Sequence, residues 1–177
     1  MSSLICFGEA IVDKIEVERG APPVSFAGGA PANVAVCFSK LGGQSYLIGG
    51  LGDDDDADFL RKQLAKYSVE LSYSKNFEKS QTAKALVFLD EYNERSFQFL
   101  RDNTADTLFE SDDLISTPFE NSNLFHFCSN TLTNKSMFET TVSALKMARG
   151  FFVNVSFDVN LRTNLWQHTS KIEERVS

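Results

Sequence analysis

The chain has 177 residues, 42% of them hydrophobic and 23% charged, a balance that supports one domain with a substantial core and excludes a disordered chain. Its formal charge of −7 argues against a nucleic-acid or anionic-membrane partner. Sixteen phenylalanines against one tryptophan point to packing, because base stacking would also need a basic groove.

Residues 4–9 form a short apolar run suited to a buried strand, and residues 11–18 alternate apolar and polar side chains as a half-exposed strand does. A turn through Gly20, Pro22 and Pro23 returns the chain to Val24, Ser25 and Phe26. Gly28 and Gly29 then let backbone approach a ligand with no Cβ in the way. Pro31 suits the first turn of a helix, and Asn33 offers donor and acceptor together, as a hydroxyl-rich ligand needs. The spacing predicts a helix over 31–41, buried through Val34, Val36, Phe38 and Leu41, with Gly42 as its left-handed cap. Residues 46–51 are the next strand.

Asp53, Asp54, Asp55 and Asp56 lack the spaced ligands and the glycine of a calcium loop. They suit the first turn of a helix that continues through Phe59, Leu60, Leu64 and Tyr67. Residues 81–90 and 95–101, joined by a polar turn at 91–94, read as a β-hairpin. A short helix is expected near 111–115 and a strand over 124–128. Asn134 is expected to cap a helix running to Arg149 with Gly150 behind it, followed by a strand over 151–157 and, from Ser170, the start of another helix.

Strands alternating with helices give an α/β fold with a mainly parallel sheet, while the segments near 11–26 and 81–101 break the alternation and should form a small separate sheet. Cys6, Cys37 and Cys128 sit in apolar runs without a CxxC pair and read as buried free thiols of a reducing compartment. No basic segment precedes the apolar N-terminus and no apolar run approaches membrane-spanning length, so a cytoplasmic location without a membrane partner is expected. His126, inside an apolar strand, reads as a satisfied core histidine and His168 as part of a polar tail.

Asp13 lies just past the first strand, where open α/β sheets place their ligands, and a carboxylate there can accept hydrogen bonds from two hydroxyls. Phe157-Asp158-Val159-Asn160-Leu161-Arg162 again follows an apolar strand. Asn160 and the donor fork of Arg162 suit sugar hydroxyls or a phosphate. Neither a Walker-type loop nor the protein-kinase motifs occur.

The run from Gly28 to Gly52 matches every fixed position of the N-terminal signature of the ribokinase-like (PfkB) carbohydrate kinases, and the chain resembles the first half or so of that family over essentially all of its 177 residues. Gly8, Glu9 and Asp13 match the family's opening Gly-Glu and Asp, with Asp13 in the sugar site and the role of Glu9 left open. Arg101 resembles the lid arginine, and Ala105-Asp106-Thr107-Leu108 resembles the stretch that usually succeeds that arginine in the family. The Asp-x-Asn-x-Arg segment at 158–162 is similar to those of fructokinases and 2-keto-3-deoxygluconate kinases, and Leu165-Trp166 leans toward fructokinase. Asp56 and Ala57 depart from the family's apolar residue and glycine, which is expected to alter the helix start.

The resemblance implies a doubly wound sheet carrying a β lid over the sugar, and transfer of the γ-phosphoryl of ATP to a sugar hydroxyl with Mg2+. The candidate substrate-binding residues are Asp13, Gly28, Gly29, Asn33, Arg101, Asn160 and Arg162, with no metal ligand assigned. It further implies a homodimer through the lid, whose Val87, Phe97 and Phe99 would otherwise lack cover. The Gly-Ala-Gly-Asp motif of the family's second half is absent, so the chain reads as an N-terminal portion without activity of its own and with the catalytic base beyond Ser177. The alternatives are a 2-keto-3-deoxygluconate kinase, with Arg101 and Arg162 on the substrate carboxylate, and a non-catalytic sugar-binding relative.

Overall fold

The first strand, β1 (Ser3–Phe7), is buried along its whole length, as expected of a strand covered on both faces. The computed structural model describes residues 2–18, 20–89 and 94–177; of the expected turn at 91–94, only Glu94 falls within them. From β1 the chain runs through β2 (Ile11–Ile15) and β3 (Val24–Gly28) into α1 (Ala30–Lys40), then β4 (Gln44–Ile48), β5 (Gly50–Leu51) and α2 (Asp55–Lys66). The short strands β6 (Val69–Glu70) and β7 (Lys75–Asn76) lead to the hairpin β8 (Lys84–Leu89) and β9 (Arg95–Leu100). After α3 (Thr117–Glu120) come β10 (Leu124–Cys128), α4 (Lys135–Gly150), β11 (Asn154–Asp158) and α5 (Ile172–Val176).

The main sheet has the order β11-β10-β1-β4-β6 and all its pairs are parallel. One face packs Leu4, Cys6 and Leu47 against Ala32 and Ala35 of α1 and Leu60 and Leu64 of α2. The other packs Ile5, Phe7, Phe125 and Phe127 against Ala144 and Ala148 of α4. Here the phenylalanines serve packing: ring centroids step from Phe7 to Phe125 (6.0 Å), Phe127 (5.8 Å) and Phe157 (4.7 Å), each pair stacked.

The second sheet, β3-β2-β8-β9, is the separate β element expected from the broken alternation. Its strands β2 and β3 are antiparallel, β2 and β8 parallel, and β8 and β9 antiparallel. It is anchored to α2 by charge. Asp54 caps that helix by accepting the Ala57 N–H at 2.9 Å and also accepts from Thr82. Asp56 meets Lys14 of β2 at 2.9 Å and Lys84 of β8 at 2.7 Å. Burial alone would raise both carboxyls; hydrogen bonds from Thr82 hold Asp54 below the usual range, and bonds from Lys84 and Lys14 do the same for Asp56. The departure at Asp56 leaves the helix start regular and gives this chain a tie between helix and lid.

Several expectations shift. Helix α1 starts at Ala30 and buries Pro31, Ala32 and Ala35; these small residues let it sit close to the sheet, and Cys37 on another face is exposed, not buried. Leu41 is its C-cap and 82% exposed, with Gly42 left-handed behind it (φ +89°) as expected. The strand over 46–51 is broken. The Ile48 carbonyl accepts the Gly8 N–H while Gly49 accepts from Lys75, so the chain leaves the main sheet for β7. The segment near 111–115 is a single 3-10 turn, Ser111–Asp113.

Asn134 caps α4 through the Met137 N–H as expected, but Gly150 stays inside the helix. Phe152 takes the left-handed position (φ +57°), because the buried Val153 must return its N–H to the Ala148 carbonyl. The last strand therefore begins at Asn154. His126 is buried as expected and its Nδ1 lies 3.0 Å from Ser156 Oγ, yet Nε2 has no hydrogen-bond partner among the described residues; burial holds its pKa below the usual histidine value, against the pull of Asp158. Among the described residues no helix is long and apolar enough to cross a membrane.

Candidate functional site

A cavity of roughly 500 Å³ opens beyond the carboxyl ends of β1 and β10, under the inner face of the lid sheet. Its polar wall comes from Asp13, Gly29, Asn33, Asn160 and Arg162, five of the seven residues singled out in the sequence, together with Glu9 and Asn130. Its apolar wall comes from the lid: Ile11, Ile15, Val87, Phe97 and Phe99. The ladder explains this alternation, because Asp13 pairs across β2 and β3 with Phe26, Ile15 pairs with Val87, and Val87 with Phe97, so these side chains share one face.

Gly28, the sixth candidate, acts from beneath. A Cβ there would collide with the Asp13 carboxylate, so the absence of a side chain makes room for that group. Among the described residues no hydrogen bond or ion pair reaches the Asp13 carboxylate. Burial pushes its pKa above the ordinary value. Such a half-buried, unpaired acceptor suits hydroxyl donors. Asn33 stands exposed in the first turns of α1, which begins behind Gly29 with Pro31 in its first turn. Asn160 is held by its backbone: its N–H donates to Asp158 Oδ1 at 3.1 Å and its carbonyl accepts from Ser129 Oγ at 3.2 Å. Its backbone φ is positive, +23°.

Arg101 lies apart from the other candidates. Its buried guanidinium donates from Nε to Asp106 Oδ2 at 2.6 Å, and Nη2 lies 3.9 Å from Glu9 Oε2. Burial disfavours the charge, but Asp106 and Glu9 outweigh it, so Arg101 is held protonated more firmly than usual. It borders a neighbouring cavity of roughly 310 Å³ shared with Asp102, Thr107 and Asn134.

Sequence reasoning left the role of Glu9 open, met Asp106 only as part of the stretch after Arg101, and did not single out Asn130. Glu9 Oε1 accepts from Asn130 Nδ2 at 2.9 Å and from the Ala30 N–H at 3.3 Å. An acidic residue directly after a buried apolar strand was the available signal, because a charge placed there must find partners.

The chain is 36% identical over 167 residues to a fructokinase from Klebsiella pneumoniae, covering 94% of this chain and 53% of that protein. A fructokinase from Xylella fastidiosa, solved with bound ATP, superposes with a TM-score of 0.89 at 37% identity, over 94% of this chain and 51% of that one. A double mutant of the Vibrio cholerae fructokinase, solved with fructose, ADP and potassium ion, superposes with a TM-score of 0.88 at 32% identity, over 99% and 56%. The chain thus spans about half the length of the curated relatives it matches. With the signature loop, the lid and the cavity between them all in place, and a family model matching residues 1–177, the chain belongs to the pfkB family of carbohydrate kinases.

Proposed function

We propose that this chain supplies the sugar-binding half of a fructokinase-like enzyme that uses ATP and Mg2+. The observation that carries the reading is the unpaired Asp13 carboxylate, which shares one cavity with Asn33, Asn160 and Arg162. In this reading Asp13 accepts hydrogen bonds from sugar hydroxyls, the two asparagines orient the ring, and the lid's apolar wall excludes water. Nucleotide and metal supply the phosphoryl group and neutralise its charge when bound. This chain's cavity residues carry binding and orientation, with Arg162 as a cation for a phosphate.

Fructose is favoured over 2-keto-3-deoxygluconate because Arg101 is already engaged by Asp106 and Glu9, leaving, among the described residues, one arginine in the cavity for a substrate carboxylate. The structural relative solved with fructose, ADP and potassium ion supports this choice. A second copy of the chain is the proposed cover for Val24, Phe26 and Phe97, which share the lid's inner face and remain 46%, 48% and 61% exposed. The unpaired thiols suit a reducing cytoplasm.

Calorimetric titration of the chain with fructose and with 2-keto-3-deoxygluconate tests the reading, beside a phosphorylation assay with ATP and Mg2+. Fructose should bind, the acid should bind more weakly, and the chain alone should not phosphorylate either. Absence of sugar binding by the folded chain would overturn the proposal.

A further inference from the structure

The deepest charge in the cavity wall is one that the proposed sugar contacts do not use. Glu9 is 2% exposed and stands where four segments of the site meet. Its own segment links β1 to the lid strand β2. Its Oε1 takes the N–H of Ala30, the first residue of α1 behind the glycine pair, and the side-chain amide of Asn130, beyond β10. Its Oε2 faces Arg101 at the end of the lid strand β9, 3.9 Å away, and has no hydrogen-bond donor among the described residues. Asn130 in turn offers its main-chain carbonyl to Arg101 Nη1 at 3.5 Å. The glycine loop is pressed onto the same spot, since a Cβ on Gly29 would strike the Glu9 carbonyl.

We infer that Glu9 is the positioning residue of this cavity: its carboxylate fixes the glycine loop, Asn130 and the lid arginine relative to one another, so that the sugar loop and the lid keep one spacing. This rests on the sugar-binding reading for its functional consequence, but not for its geometry. A burden shared by one carboxylate explains why a costly buried charge sits where an apolar residue would pack more cheaply. It also gives Arg101 a structural occupation: with Asp106 on Nε and Glu9 beside Nη2, the guanidinium fastens β9 to the cavity floor.

Glu9→Gln tests this, since it keeps the size and removes the charge. In 15N spectra of the unliganded chain, the Ala30 amide and the Arg101 Nε–H should shift together, while Leu47 in the sheet centre stays fixed. Fructose affinity should fall by about tenfold, the scale of one charged hydrogen bond, with a melting temperature close to the parent's. If Glu9→Gln does not fold, Asn130→Ala removes the second donor and should move the same two resonances. Shifts confined to residue 9 and its chain neighbours, or fructose affinity unchanged in a folded variant, would overturn the inference. If the parent chain fails to bind fructose, the sugar reading falls, and the paired resonance shifts alone decide whether Glu9 positions the two elements.

Discussion

The Asp13 carboxylate fills the space that a side chain on Gly28 would occupy. The two residues lie on adjacent antiparallel strands, Asp13 opposite Phe26 and Gly28 opposite Ile11, so the carboxylate leans diagonally across the ladder. Gly28 does not have a left-handed backbone, so alanine is excluded there by Asp13 alone. Gly28→Ala should destabilise the chain by about 1–3 kcal/mol through overpacking. Adding Asp13→Ala should restore most of that loss. Denaturant melts of the two single variants and the double variant measure the coupling, and simple additivity would refute it.

Sugar binding should weaken on acidification at a higher pH than a free aspartate would dictate. Burial raises the Asp13 pKa, so protonation begins above the ordinary value of about 3.9 and removes the acceptor for hydroxyls. The same raised pKa means that Asp13 opposes folding once ionised, so Asp13→Asn should bind fructose poorly while melting no lower than the parent. Titrations over a pH series in parent and variant check both statements.

The ion pairs between lid and α2 have opposite pH limits. The lowered pKa values of Asp54 and Asp56 add stability that is complete above their unfolded value of about 3.9 and is lost as pH falls through the lower folded values. Lys84, raised chiefly by its hydrogen bond to Asp56, adds stability that is present below about pH 10.4 and is lost as pH rises through its higher folded value. Asp56→Asn should flatten both limbs of the melting-temperature profile and speed hydrogen exchange in β2 and β8 first.

Phe152 carries a left-handed backbone and is 94% exposed, so its side chain gives little packing in return for the strain. Phe152→Gly should raise stability by about 1 kcal/mol, the usual preference for glycine at that position. An unchanged or lower denaturation midpoint would count against this account of how α4 ends.

Association through the lid is tested by Phe97→Asp. Sedimentation should show the parent self-associating at micromolar concentration and the variant as a monomer of equal stability, because Phe97 is 61% exposed on the lid's inner face. A monomeric parent would refute the second copy as cover for that face.

The parallel sheet was legible because its strands are buried on both faces and punctuated by glycine and cap residues, as at Asn134. The lid was legible because the segments near 11–26 and 81–101 break the strand–helix alternation. Glu9 and Asp106 were not legible in the same way, because their partners, Ala30, Asn130 and Arg101, are set by tertiary proximity and not by local spacing. The same holds for the end of α4: Gly150 looks like a cap locally, and the burial of Val153 overrides it.

The single tryptophan comes directly after Leu165, which borders both the main cavity and its neighbour, while Trp166 itself is packed among the core phenylalanines with its indole N–H unpaired among the described residues. The chain therefore carries one native fluorophore, whose apolar surroundings place its emission toward the blue and whose backbone neighbour touches the space a ligand would enter. A shift of that emission on adding a sugar would register movement of the 163–166 turn without any label, and loss of the blue emission would report unfolding of the phenylalanine-lined core in the same trace.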